Sequence, residues 1–418
     1  MKQLSWFSLP LVLVAAVVPA ALHAQTITFA PPKPISVGAF NGQIANNPVA
    51  GDFNGDGNTD YLVHIYDQST GNNYQYYKVL LGDGTGGFSI VNFTNEPAFI
   101  DAYLVADANG DGKDDIITLH GECVPTNGCS AHASSGAFTV FLSDGNGHFT
   151  AGYTSALPEG YAQGIVGDFN NDGKPDVAVL VTPNLAETDA QETLVIFLNQ
   201  GNGSFLPTQY VILPGQQGNF FTLATGDFNG DGNLDLAVLV ETNPDSQIYT
   251  FAGNGKGSLA EPRLSYTFGY YAASMVAANL NGGLKTDLVV SLFGTNRALF
   301  AILFPKSTGG FYWAGAVTNT LPDGAELPFS LSDLNGNGMD DLLVAGYSMN
   351  SNGNNEPLLG VFPGLGSGKF GSPSSFTLSP PYFLNESVAP LKRGELPSLM
   401  ISDDLPTLEL LVNTTKKP

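Results

Sequence analysis

Four stretches of the chain repeat one acidic pattern, Asp-x-Asn-x-Asp-Gly-x-x-Asp, starting at Asp52, Asp107, Asp168 and Asp227. Calcium takes several hard oxygen ligands at once, and alternate side chains of a tight loop can converge on one ion. Position 6 is glycine in each copy (Gly57, Gly112, Gly173, Gly232), which lets the backbone turn sharply. The pattern predicts four ligand sets: Asp52, Asn54, Asp56 and Asp60; Asp107, Asn109, Asp111 and Asp115; Asp168, Asn170, Asp172 and Asp176; Asp227, Asn229, Asp231 and Asp235. Position 7 adds a backbone carbonyl, from Asn58, Lys113, Lys174 and Asn233.

Two rival readings of these loops are weaker. An EF-hand begins the same way but needs a bidentate Glu at position 12 and flanking helices. Here position 12 is Val63, Thr118, Val179 or Val238, each inside a β-type run. A metal-free Asn/Asp/Gly turn is the simpler alternative, but three carboxylates within nine residues repel one another without a cation. A sixth-repeat loop (Asp333, Asn335, Asn337, the Met339 carbonyl, Asp341) has one carboxylate fewer and is expected to bind calcium more weakly. Two degenerate copies, Asn279–Asp287 and Pro390–Ser398, carry Lys285 and Lys392/Arg393 and are expected to be metal-free. No catalytic set is singled out: the histidines are scattered, and no GxSxG, HExxH, P-loop or Rossmann pattern occurs.

The elements that position these loops follow from their spacing. The seven copies start 52 to 61 residues apart, which suits four short strands with their connections. Each loop leads into a run that is apolar on both faces, such as Tyr61–Ile65 or Val177–Leu180, as expected for a strand between two sheets. A third strand precedes a Gly-rich turn, and a fourth starts at an aromatic just past it: Phe88, Phe149, Phe205, Phe311 or Phe370, with Leu259 in one repeat. The last repeat stops after its third strand. The segment Thr28–Pro32 resembles an orphan fourth strand, so the N-terminal strand is expected to complete the last sheet and close a ring. The predicted fold is an all-β, seven-bladed β-propeller of four-stranded antiparallel blades.

The Gly-Asp-Phe-Asn-Gly-Asp-Gly cores at 51–57 and 226–232, with the Gly-rich turn and the following Phe, resemble the FG-GAP/VCBS repeats of integrin α-subunits and many exported bacterial proteins. The resemblance spans nearly the whole region after residue 24. It implies a propeller and leaves function open, since such repeats occur in adhesive, lectin-like and enzymatic proteins.

Lys2, the apolar run Leu9–Ala21 and Leu22-His23-Ala24 read as a Sec-type leader, residues 1–24, leaving a propeller domain over 25–418. A secreted or periplasmic location is expected, with no transmembrane segment in the mature chain. Cys123 and Cys129 are then expected to form a disulfide within one loop. The formal charge of −23 argues against nucleic acid as a partner. Much of that charge lies in the five predicted calcium loops.

A–B and C–D connections share one face of such a ring, and the longer B–C and D–A connections share the other. Aromatics in or beside the second set, including Tyr66, Tyr161, Phe220, Tyr270, Tyr271 and Tyr382, mark a candidate ligand face. The expected role is a monomeric, calcium-stabilised binding or adhesion module for a glycan or protein ligand. A carbohydrate-active enzyme, such as a lyase, and a subunit of a surface complex are the alternatives.

Overall fold

Each apolar run that follows an acidic loop forms the second strand of a four-stranded antiparallel sheet. The computed structural model describes residues 26–38, 43–67, 74–93, 102–120, 136–158, 160–182, 192–212, 221–241, 245–292, 299–307, 309–318, 329–349, 355–378, 383–403 and 407–417. Among these residues there is no helix, and so none long and apolar enough to cross a membrane.

Seven sheets stand as the blades of a propeller, with strands lettered A to D outwards. Blade 1 comprises Gln43–Gly51, Asp60–Asp67, Tyr74–Gly82 and Phe88–Phe93, and blade 2 Ala102–Ala106, Asp115–His120, Gly136–Ser143 and Phe149–Leu157. Blade 3 comprises Tyr161–Gly167, Asp176–Thr182, Thr193–Asn199 and Phe205–Ile212. Blade 4 comprises Phe221–Gly226, Asp235–Glu241, Ser246–Phe251 and Arg263–Phe268. Blade 5 comprises Ala272–Ala278, Asp287–Leu292, Leu299–Pro305 and Phe311–Thr318. Blade 6 comprises Phe329–Ser332, Asp341–Met349, Asn355–Phe362 and Ser374–Thr377. Blade 7 comprises Phe383–Pro390, Pro397–Asp403 and Thr407–Leu411, and takes its outer strand, Lys33–Ser36, from the other end of the chain.

That borrowed strand closes the ring, as the orphan segment predicts, although its ladder lies further along than Thr28–Pro32. Lys33–Ser36 pairs with Leu410–Thr407, while Phe29 makes only an isolated bridge to Asn413. Two lysines fasten the seam to blade 1. Lys33 Nζ donates to the Gly86 carbonyl at 2.8 Å, and the buried Lys78 Nζ donates to the carbonyls of Val37 and Gly38 at 2.7 and 2.9 Å. Burial pulls the Lys78 ammonium below its ordinary pKa, so these contacts help keep the charge tolerable.

Two outer strands also start later than their marker residues. Leu259 bridges back to Gly253, and strand D of blade 4 begins at Arg263. Phe370 lies in a small hairpin with Gly364–Gly366, ahead of the D strand at Ser374.

The apolar core is divided into seven wedges between neighbouring blades. Every B strand is buried on both faces because a sheet covers each side; Asp176–Thr182 and Asp235–Glu241 are buried in all but their last residue. The residue at position 2 of each acidic loop enters one of these wedges. Phe53 stands edge-on to Phe149 of the next blade at 5.4 Å, and Phe228 to Phe311 at 5.5 Å. The loop Phe and the Phe after the Gly-rich turn are thus halves of one inter-blade contact, each burying a ring worth about 1.5–3 kcal/mol.

Candidate metal centres and the loop face

The four acidic loops and the sixth repeat take one backbone shape, built from their own side chains. In loop 1, Asp52 Oδ1 accepts from the amides of Gly55 and Asp56 at 2.8 and 3.1 Å, and Oδ2 from Gly57 at 2.9 Å. Asn54 Oδ1 accepts from Asp56 N at 2.9 Å, and Asp56 Oδ1 from Asn58 N at 2.8 Å. Asp107, Asp168, Asp227 and Asp333 repeat the first of these patterns almost bond for bond. Gly57, Gly112, Gly173, Gly232 and Gly338 all lie at φ between 81° and 84° with no atom near an added Cβ. Their glycine is required by backbone conformation rather than by space.

The Asp at position 9 does something different. Asp60 is fully buried at the start of strand B; its Oδ2 accepts from Phe53 N at 2.9 Å and its Oδ1 from Gly82 N, across strand C, at 2.7 Å. One carboxylate therefore staples the loop to its blade. Asp115, Asp176, Asp235 and Asp341 make the same pair of bonds. Burial pushes Asp60 and Asp341 up to about 7 and Asp115 and Asp176 up to about 6, with smaller contributions from neighbouring carboxylates.

The donor set suits calcium: three carboxylates, an amide oxygen and a backbone carbonyl, with one carboxylate replaced by Asn337 in loop 6. Oxygens engaged by one amide keep a lone pair for a cation. Among the described residues, no three His, Cys, Asp or Glu side chains already meet at one point. The fit therefore rests on the kind and order of donors, which a bound ion would draw together.

The two degenerate loops each keep one half of the staple and lose donors. In loop 5, Asp287 Oδ2 accepts from Leu280 N at 3.1 Å and Oδ1 from Asn281 Nδ2 at 2.8 Å, and burial raises it to about 6. In loop 7 the buried Ser398 takes the position, its Oγ accepting from Asn413 N at 3.0 Å.

Sequence reasoning missed the links between loops. Asp52 N donates to Asp114 Oδ2 at 2.7 Å, while Asp114 N donates to the Asp52 carbonyl at 2.8 Å. Asn279 and Asp340 form the same reciprocal clamp between loops 5 and 6. The signal was present as Asp-Asp doublets at positions 8 and 9, where the first Asp has no role in the ligand pattern. A cavity of about 400 Å³ opens between loops 7, 1 and 2, lined by Asp52, Asp107, Asp114, Asn58 and Arg393 among others. Nothing in the sequence pattern marked it.

The opposite face is described only in part. Phe220 and Tyr382 lie outside the described residues, as do Cys123, Cys129 and the leader. Tyr161 and Tyr270 are about half exposed, on blade 3 and just before blade 5; Tyr66 and Tyr271 are partly buried. Tyr103, a neighbour of this set in sequence pattern, is a packing residue. Its Oη donates to the Asn47 carbonyl at 2.7 Å and its ring meets Tyr77 edge-on at 5.9 Å, bridging blades 1 and 2.

A family model for the FG-GAP-like repeat matches residues 129–179 and 180–238. Those residues carry FG-GAP-like repeats, and they lie within a seven-bladed β-propeller. No curated protein matches it in sequence at a significant level. Among solved structures it is similar to the exotype rhamnogalacturonan lyase YesX, with a TM-score of 0.55 at 14% identity over 92% of this chain and 76% of that one. The Dos1 propeller aligns with a TM-score of 0.49 at 10% identity over 87% of this chain and 76% of that one. A Bacillus licheniformis rhamnogalacturonan lyase aligns at 0.41 and 14% identity, over 89% and 74% respectively. At these identities the likeness is one of fold.

Proposed function

We propose that the protein is an exported binding module whose ring is stabilised by calcium in loops 1, 2, 3, 4 and, more weakly, 6. The observation that carries this reading is the contrast at positions 5 and 6. All six Asp-containing loops keep a buried aspartate at position 9, but five also keep an oxygen donor at position 5 and a left-handed glycine at position 6. Loop 5 closes its A–B connection around a buried aspartate without them, so the extra donors call for another purpose. Asp52, Asn54, Asp56, the Asn58 carbonyl and Asp60, with their counterparts, would hold the ion. Bound calcium would neutralise the clustered carboxylates and fix each A–B connection.

The ligand proposed for the other face is a glycan or a protein, presented to the partly exposed Tyr161 and Tyr270. The YesX-like fold makes rhamnogalacturonan a sensible first polysaccharide to screen; release of shortened or unsaturated products would favour an enzyme over a lectin.

Thermal unfolding with calcium and with excess chelator tests the metal reading. Five sites held well above their dissociation constants should raise the transition by on the order of 10 °C. An unchanged transition, with no calcium retained after dialysis, would reject it.

A further inference from the structure

The five candidate calcium loops differ at position 7, and the difference falls beside a ligand. The position-7 side chain lies over a glycine of its own C–D turn: Lys113 over Gly145, Lys174 over Gly201, Asn58 over Gly84 and Asn233 over Gly255. In loops 2 and 3 the long aliphatic stem, laid along that glycine, brings an ammonium back onto the position-5 carboxylate. Lys113 Nζ lies 2.5 Å from Asp111 Oδ2, and Lys174 Nζ 2.7 Å from Asp172 Oδ2. The Lys113 stem is also wedged against loop 1, where a Cβ on Gly55 would sit 3.1 Å from its Cγ.

Loops 1 and 4 have no such cation. Asn58 and Asn233 are short and neutral, and Asn233 Oδ1 instead accepts from Asn171 Nδ2 of loop 3 at 2.9 Å. Asp56 Oδ2 receives only the Asn54 amide, at 3.2 Å.

We propose that Lys113 and Lys174 are resident competitors for the metal, dividing the acidic loops into two affinity classes. Loops 1 and 4 present the position-5 carboxylate to an incoming ion with no ammonium on it. In loops 2 and 3 calcium must first displace an ammonium from the position-5 ligand. The ammonium, anchored by its stem, then remains within a few ångströms of a divalent cation and repels it. Without metal, the same lysines offset part of the carboxylate repulsion, so loops 2 and 3 depend less on calcium for their shape. The ring would therefore load in stages, with loops 1 and 4 filling first and loops 2 and 3 at higher calcium. This inference rests on the calcium reading above.

Two measurements on the purified protein test it. Amine-reactive labelling read by mass spectrometry reports the release directly: calcium should raise modification of Lys113 and Lys174 several-fold and leave Lys256, in the C–D turn of blade 4, unchanged. Calorimetric calcium titration of the K113Q/K174Q variant, which keeps long neutral stems over Gly145 and Gly201, should show two sites tightened about fivefold and the separate classes merging. Calcium binding with no rise in labelling and an unchanged isotherm for the variant would overturn the lysine role and leave the calcium reading intact. Absence of binding in both proteins would overturn both.

Discussion

Loops 4 and 5 are neighbours on the ring, and Thr286 N of loop 5 donates to the Asp227 carbonyl of loop 4 at 2.9 Å. Both hold a buried aspartate at position 9: Asp235 joins loop 4 to strand C, and Asp287 closes loop 5 on itself. Loop 4 then adds Asp231 at position 5 and Gly232 at φ 83°. Loop 5 has Gly283 and Leu284 there; neither takes a positive φ, and Leu284 is 95% exposed. Holding an A–B connection and holding a cation are thus separable tasks. The first needs a desolvated acceptor at position 9, whereas the second needs further oxygens on a turn that only glycine makes without strain. Blade 7 extends the series, since Ser398 supplies the acceptor with no charge at all.

The largest effect is expected at the buried aspartate of loop 5. Asp287→Ala leaves the Leu280 amide and the Asn281 side-chain amide without their acceptor in a buried site. It should cost about 4 kcal/mol whether or not calcium is present. Asp231→Ala, on the exposed side of loop 4, should stay within about 0.5 kcal/mol in chelator and lose stability only when calcium is supplied. Chemical denaturation of both variants in both conditions checks the pair. Equal calcium dependence in the two would show that the staple and the metal site are one device.

Blade 7 offers a second contrast, in its inner strand. Where the corresponding positions of blades 4, 5 and 6 are Leu223, Met275 and Phe329, blade 7 has Glu386. Its Oε1 accepts from Ser330 Oγ of blade 6 at 2.5 Å, and its buried Oε2 has no partner among the described residues. Burial raises this carboxyl from 4.5 to about 7, against a smaller lowering by Ser330. Below pH 4.5 both folded and unfolded chains carry the proton and there is no penalty. Between 4.5 and 7 only the unfolded chain ionises, so stability falls; above 7 the loss levels off at up to about 3 kcal/mol. Glu386→Gln should therefore stabilise the protein at pH 8, match it at pH 4 and flatten the slope between. A pH series of unfolding free energies in chelator, read as the difference between variant and parent, checks this, because the loop aspartates raised to about 6–7 titrate alike in both.

The smallest change is expected from rebuilding loop 5. Gly283→Asp with Leu284→Gly restores positions 5 and 6 of loop 5, beside the retained Asn281 and Asp287. In chelator the stability should shift by under about 1 kcal/mol. In calcium the double variant should bind one more equivalent than the parent, counted by equilibrium dialysis. An unchanged count would mean that Asn279 at position 1, or Lys285 at position 7, is enough to bar the ion.

Much of this architecture was legible in the chain because it repeats. Seven copies at nearly constant spacing reveal blade number, and both-face apolar runs such as Val177–Leu180 reveal strands covered on each side. Outer-strand starts were less legible. Strand D of blade 4 begins at Arg263 rather than Leu259, since an outer edge packed on one side carries a weaker apolar signal. The position-9 aspartates were legible as acids in a ligand pattern, but their double hydrogen bonds across strand C were not. Those bonds join residues 18 to 28 positions apart and exist only once strand C is laid beside strand B.

By itself the sequence determined what local chemistry determines: the number of blades, the oxygen donors in each loop, the glycines at left-handed turns, and the need for the N-terminal strand to complete the last blade. Only the tertiary structure decided which of those groups meet. Curling the ring brings Asp114 to Asp52, Asp340 to Asn279, Glu386 to Ser330, and Lys78 to Val37 and Gly38. Stacking each loop on its own Gly turn sets the Lys113 and Lys174 ammonium groups against Asp111 and Asp172. The physical reason is range. Turn formation and donor order are fixed within about nine residues, whereas these contacts link blades or strands that only packing of the apolar wedges brings together.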